Sequence, residues 1–211
     1  MRLQTVLITG CAVTTMFAVG GSAHEEQTDP GPLKVTSVTL TIEGTSKKAP
    51  FLASTKMVRV TNLQLGGPPT GDVLQQVLRP GGLAAVDVAV PVMSLTSPDQ
   101  GVDEKIHDSL KAVEYPEIRF RLRSVTDDLS YGTAPSLLRA LGTLTIAGVE
   151  RDIVVTVKAM RAGSWLVVDG TTDLLMTDFG IKPPQGLLGM LKTDPAVRVR
   201  FYLTLRAAEA H

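Results

Sequence analysis

Two stretches of this sequence leave little choice of local structure. In 117–123, Ile118, Phe120 and Leu122 alternate with Glu117, Arg119, Arg121 and Arg123. In 197–205, Val197, Val199, Phe201, Leu203 and Leu205 alternate with Arg198, Arg200, Tyr202 and Thr204. A period of two is the mark of a strand with one face buried and the other in water. A slip of one residue would carry the arginines into the core, so the register is tightly specified.

Weaker versions of the pattern recur along the chain. Val38, Leu40 and Ile42 alternate with threonines, Met57, Val58 and Val60 lie in the run 51–63, and Val86, Val88, Val90 and Val92 share one face of 84–92. Leu144 and Ile146 precede Ile153, Val155 and Val157, and Trp165, Val167 and Val168 open the segment 164–176. The count is about eight strands, spaced as in an antiparallel barrel or sandwich. Ala147-Gly148-Val149 is a tight connection, so 141–160 is expected to be a hairpin. The fold class is all-β with one short helix between strands. That helix is expected over 103–113, where Ile106, Leu110 and Val113 share a face and Pro116 forbids continuation. Shorter turns of helix are expected in 71–79 and 135–140. No linker, charge block or repeat interrupts 35–206, which is read as one domain.

The N-terminus has the order of an export signal. Met1-Arg2 is followed by an apolar run over 3–19, then Gly20-Gly21-Ser22-Ala23 and the polar His24-Glu25-Glu26. Residues 1–23 are therefore expected to be a cleaved signal peptide, 24–34 a flexible lead-in and 207–211 a tail, with the protein periplasmic or secreted. An uncleaved anchor is the alternative, and Ile8-Thr9-Gly10-Cys11 also has the look of a lipoprotein site. Lipidation there is disfavoured because the apolar run continues past Cys11. Cleavage would remove Arg2 and the only cysteine, leaving a cysteine-free chain of net charge −1.

Composition excludes several classes of function. With 21 Lys plus Arg against 21 Asp plus Glu, the surplus of cations that phosphate neutralisation needs is missing, so no nucleic-acid partner is expected. His24, His107 and His211 are far apart, and no His-x-His or His-Glu-x-x-His spacing exists, so no metal site is expected. His107 is expected to be a solvated helix residue able to pair with Asp103. No Gly-x-Ser-x-Gly elbow and no phosphate loop occur; Gly66-Gly67-Pro68-Pro69 and Pro80-Gly81-Gly82 read as turns. Asp178-Phe179-Gly180 matches a kinase motif by chance, since nothing else of a kinase is present. The chain is not expected to be an enzyme, and no cofactor is implied.

The most unusual stretch is 173–195, long, apolar and rich in Gly and Pro. It reads either as a plug folded over one end of a barrel or as a lid on a ligand cavity, with Phe179 and Met190 as adaptable lining.

The order of several short motifs resembles the YceI-like family. They are Met93-Ser94-Leu95, then 102–111, then Tyr115-Pro116-Glu117-Ile118-Arg119-Phe120, the hairpin Gly142–Val149 with Ile153-Val154-Val155, and Thr177-Asp178-Phe179-Gly180-Ile181 before the last strand. Ile42-Glu43-Gly44-Thr45-Ser46 is similar to a Gly-Thr-Ser variant of the family's opening motif. The resemblance spans roughly 35–206. It implies an eight-stranded antiparallel lipocalin-like barrel, exported, whose interior binds a long apolar chain such as a polyisoprenoid.

The expected lining is Val86, Val88, Val90, Ile118, Phe120, Leu122, Val155, Val157, Val199 and Phe201, with Phe179 and Met190 from the long loop. An eight-stranded barrel is about wide enough to fill itself with side chains or to hold one slender ligand. The partner is thus expected to be an isoprenoid or fatty-acyl chain, with membrane contact at most peripheral. The competing expectation is a non-enzymatic envelope interaction module with a filled core, docking through 176–195 or the face of Arg119, Arg121 and Arg123. Only nine aromatics occur in the whole chain, so the interior suits an aliphatic chain better than flat rings.

Overall fold

The computed structural model describes residues 33–46, 50–69, 71–98, 101–127, 135–183 and 193–208. The expected export segment, Cys11 and Met190 lie outside the described residues.

The strands are β1 (Leu33–Ser46), β2 (Pro50–Thr55), β3 (Arg59–Leu65), β4 (Leu83–Pro91), β5 (Glu117–Asp127), β6 (Ser136–Ile146), β7 (Val149–Ala162), β8 (Trp165–Leu175) and β9 (Thr193–Ala207). Two helices interrupt them, α1 (Val73–Val77) and α2 (Val102–Ser109), with single 3-10 turns at Val92–Ser94 and Met176–Phe179. All nine strands belong to one sheet in the order β2-β1-β9-β8-β7-β6-β5-β4-β3, and every pair described is antiparallel. The expected run 51–63 is split: β2 pairs with β1 at one edge and β3 with β4 at the other. That division turns eight runs into nine strands.

The same division dictates the curvature. Only residues 56–58 separate β2 from β3, and a chain that short reaches no more than about 14 Å. A sheet whose two edges must lie that close has to roll up, as the right-handed twist of strands permits. The result is a curled half-barrel. Its seam is stitched at one end by an isolated bridge, Ser54 N donating to Thr96 O at 2.8 Å and Thr96 N to Ser54 O at 3.0 Å. Beside it the buried Thr55 hydroxyl donates to Ser94 Oγ at 2.8 Å, and that hydroxyl passes its own hydrogen to Pro91 O at 2.7 Å.

Local chemistry explains the connections. The β6–β7 hairpin turns on Ala147 (φ 48°) and Gly148 (φ 78°), the pair of left-handed residues that a two-residue turn matched to strand twist requires. Helix α1 starts at Asp72, whose carboxylate accepts from Gln75 N at 3.1 Å. Helix α2 ends near Leu110, with Lys111 at φ 53° breaking the helical path.

Three expectations are corrected here. The stretch 135–140 is not helical; Ser136 onward is strand β6, paired along its length with β7. Val113 does not share the α2 face, because the helix has ended before it, and it stands fully exposed at 101%. His107 is not a solvated residue: its Nε2 lies 2.9 Å from Leu95 O, while Asp103 accepts from Ser97 N at 2.6 Å. Together these bonds fasten α2 to the segment following β4. The barrel also begins slightly earlier than the alternation suggested, at Leu33, which is buried.

Candidate functional site: the concave face of the curled sheet

Cross-strand register assigns the two faces. Val88 faces Phe120 and Val90 faces Ile118 across β4–β5, and Phe120 in turn opposes Leu144. On the other wall Val157 opposes Gly170, and Gly170 opposes Phe201. Directly paired residues point to the same side of a sheet. Val86, Val88, Val90, Ile118, Phe120, Leu122, Val155, Val157, Val199 and Phe201 therefore share the concave face.

The convex face carries the charge. Arg121 pairs with Asp87 at 3.3 Å, Arg123 with Asp152 at 2.9 Å, Arg119 with Glu117 at 2.9 Å and Arg198 with Asp173 at 2.7 Å, and Arg59 also meets Glu117. The arginine ladder noted in the sequence is thus matched to carboxylates, most of them across strands. Arg198 holds the Asp173 carboxyl below its usual range, and Asp173 raises Arg198 in return. These pairs lie at the surface, where water and salt screen them, so they reinforce register more than stability. A charged outside around an apolar inside is the reverse of a transmembrane β-barrel. Among the described residues, no helix is long and apolar enough to cross a membrane.

The concave face is closed at its ends. At one end α1 lays Leu74, Val77 and Leu78 against Leu33, Leu138, Ala159 and Leu166. Asp72, at the start of α1, is ion-paired with Arg161 near the β7–β8 turn. At the other end Phe179 and Ile181, just after β8, are buried with Leu144, Ile146, Ala147 and Leu174, and Leu110 and Tyr115 pack against them. Phe179 is 3% exposed, so the described part of the unusual apolar stretch is an end plug.

The two clusters have no residue in common. Between them runs a belt that belongs to neither, containing Val86, Val88, Leu122, Val155 and Phe201. Leu122 and Val155 are buried, but Val86, Val88 and Phe201 are only half-buried although paired strands flank them on both sides. In a barrel filled by its own side chains the central layer would be the best covered. Here it keeps accessible surface.

Three glycines shape this face. A Cβ at residue 170 would stand 2.1 Å from Phe201 Cζ, one at residue 44 would stand 2.2 Å from Phe51 Cζ, and one at residue 142 would stand 2.4 Å from Phe120 Cζ. In each case the far edge of a ring reaches across to the neighbouring strand and rests on bare backbone. The sequence reading missed these pairs, and it also missed α1 as a plug. The available signal was a lone glycine on the apolar side of an alternating run, which marks close approach of another group.

The described residues line two surface depressions of note. One, of about 690 Å³, lies where β1 and β2 meet β8 and β9; Gly44, Phe51, Leu52 and Val197 line it, and Glu43, Asp173 and Arg198 edge it. It opens at the rim of the concave face. The other, of about 530 Å³, lies on the convex face among Lys158, Thr171, Asp173, Arg198 and Arg200. That polar dish is unsuited to an apolar chain. Among the described residues, no group of three His, Cys, Asp or Glu side chains is placed to hold a metal ion.

The YceI-like domain family model matches residues 67–205. The chain belongs to this family. The family match begins after β3, so β1, β2 and the Gly-Thr-Ser segment lie outside it, although β1 sits within the sheet between β2 and β9. Solved YceI-like structures share the curled antiparallel sheet. The chain is similar to BcnA of Burkholderia cenocepacia, with TM-score 0.60 and 16% identity over 79% of this chain and 95% of that one. It is similar to a polyisoprenoid-binding domain of Saccharophagus degradans implicated in plant cell wall breakdown, with TM-score 0.59 and 13% identity over 84% and 99%. The YceI protein of Campylobacter jejuni follows at TM-score 0.56 and 16% identity over 74% and 85%. No curated protein matches the sequence.

Proposed function

We propose that this YceI-like protein is an exported, non-enzymatic carrier that holds a long apolar chain, a polyisoprenoid or similar lipid, against its concave face. The observation that carries the reading is the half-open central belt between two closed ends. Val86, Val88 and Phe201 keep accessible apolar surface there although each lies on a strand paired on both sides. Covering such surface contributes about 25 cal/mol per Å² and needs few polar contacts, which suits a flexible chain with a small head. The polyisoprenoid-binding domain of similar fold supports this ligand class, and the signal-like order of residues 1–23 supports export. Val86, Val88, Val90, Ile118, Phe120, Leu122, Val155, Val157, Val199 and Phe201 are the proposed lining, while Phe179 belongs to the plug below them.

Organic extraction of the purified protein, followed by mass spectrometry, tests the reading. A stoichiometric isoprenoid or fatty-acyl species is expected, along with saturable uptake of a polyprenol or of the ring-free fluorescent fatty acid cis-parinaric acid by the emptied protein. No extracted lipid and no uptake of either probe would leave the filled-core interaction module as the better account.

A further inference from the structure

The three ring-on-glycine contacts are not equivalent. At Gly170 and Gly44 the nearest atoms to an added Cβ all belong to the facing phenylalanine ring; at Gly142 the backbone oxygen of Arg121 also lies 2.6 Å away. A methyl group at 142 would press on the strand itself, whereas at 170 or 44 the three atoms nearest to it would all be ring atoms. Neither Gly44 nor Gly170 has a positive φ, so alanine suits the extended backbone there.

The displaced ring at position 201 has one open direction. Phe201 is flanked by Gly170 on β8 and by Leu40 on β1. Leucine occupies one side, and the added methyl would occupy the other. The ring would have to stand up from the sheet, into the half-open belt formed with Val86 and Val88. Phe51 is placed differently. It sits over Gly44 at the rim depression that Val197 also lines, and a lifted ring there would obstruct the rim.

We propose that Gly170 is a specificity-determining residue: by letting Phe201 reach over bare backbone, it keeps the central belt wide enough for a chain. The inference rests on the carrier reading and adds to it the class of ligand shape admitted, a single flexible aliphatic chain. The wall beneath such a chain is that ring and branched aliphatics, and its width there is set by one missing methyl group.

The experiment compares uptake of cis-parinaric acid, a fluorescent fatty acid without rings, and of a polyprenol by the wild type, Gly170→Ala, Phe201→Leu and the double variant Gly170→Ala/Phe201→Leu. Gly170→Ala is expected to weaken binding of both probes by about tenfold or more. The double variant should bind both chains as Phe201→Leu alone does, because a leucine does not reach across to residue 170. Phe201→Leu, with or without the glycine change, should newly admit a flat-ringed sterol probe that the wild type excludes. Thermal midpoints accompany each measurement. Wild-type-like binding by Gly170→Ala, a double variant that binds more weakly than Phe201→Leu, or no sterol uptake by Phe201→Leu would each overturn the inference. If Gly170→Ala does not fold, the Phe201→Leu result decides. Failure of the carrier reading looks different: the wild type itself would take up neither probe, and both proposals would fall together.

Discussion

At the two ends of the curled sheet, Leu74 and Phe179 are each 3% exposed and sit inside clusters with neighbours on every side. In the belt between them, Val86, Val88 and Phe201 point to the same concave face and stay half-open. Residue type does not separate the two regions, since both are aliphatic with an occasional phenylalanine. What separates them is whether something lies across the sheet. The ends have a cover that the belt lacks, α1 on one side and the turn Met176–Phe179 with Ile181 on the other. Stability is therefore concentrated at the ends, and the surface proposed to take the chain lies in the middle.

Substitutions can break or sharpen this contrast. Phe179→Ala should have the largest effect, lowering stability by about 3–5 kcal/mol, because a fully enclosed ring is lost and the hairpin beneath it collapses only partly into the hole. Chemical denaturation reads the change. Leu74→Ala should cost about 2–5 kcal/mol for the same reason at the opposite end, and a value below 1 kcal/mol would mean that α1 is no plug. Val88→Ala belongs to the belt. A fully buried methylene is worth about 0.8 kcal/mol, so truncating a half-buried valine should cost roughly 0.8 kcal/mol in all. It should nevertheless alter chain binding, which the end substitutions should affect only through stability. A Val88→Ala loss as large as that of Leu74→Ala would show the belt to be packed, and the contrast would fail.

The smallest effect concerns the fastening of α1. Arg161 first, and then the backbone N–H of Gln75, hold the Asp72 carboxyl below its usual range. A depressed folded value means that Asp72 contributes stability at pH values above the ordinary carboxylate range, near 3.9, and that the contribution is lost as pH falls through the lower folded value. Amide exchange in α1, corrected for intrinsic rates, should therefore quicken across that acid window in the wild type. Asp72→Asn keeps a side-chain oxygen to cap Gln75 N but discards the charge. Its α1 exchange should be modestly faster at neutral pH and should lack the acid step. An unchanged step in the variant would assign it to another carboxylate.

Much of the architecture was legible residue by residue. The runs 117–123 and 197–205 announce β5 and β9 with their faces, and Ala147-Gly148 announces the hairpin that the structure contains. Legibility failed where a local pattern had two outcomes. Leu137, Leu138 and Ala140 read as a turn of helix but pair with β7, because a waiting partner strand overrides weak propensity. The split of 51–63 was invisible because the alternation says nothing about which neighbour a strand will meet. The alternation named in advance which residues of each strand share the concave face. Gly44 and Gly170 could not, since a glycine shows its use only when the facing ring is known.

By itself the sequence determined which face of each strand is wet. Charges on one set of alternate positions and aliphatics on the other follow from the pleat of an extended chain, a property of each strand alone. Only the tertiary structure decided whether the aliphatic side is filled. That depends on how far the sheet curls before its edges, β2 and β3, approach each other across residues 56–58. It depends also on which ends α1 and Phe179 cover, and on two rings lying flat where a methyl group is missing. These are contacts between residues distant in sequence, and no periodicity records them.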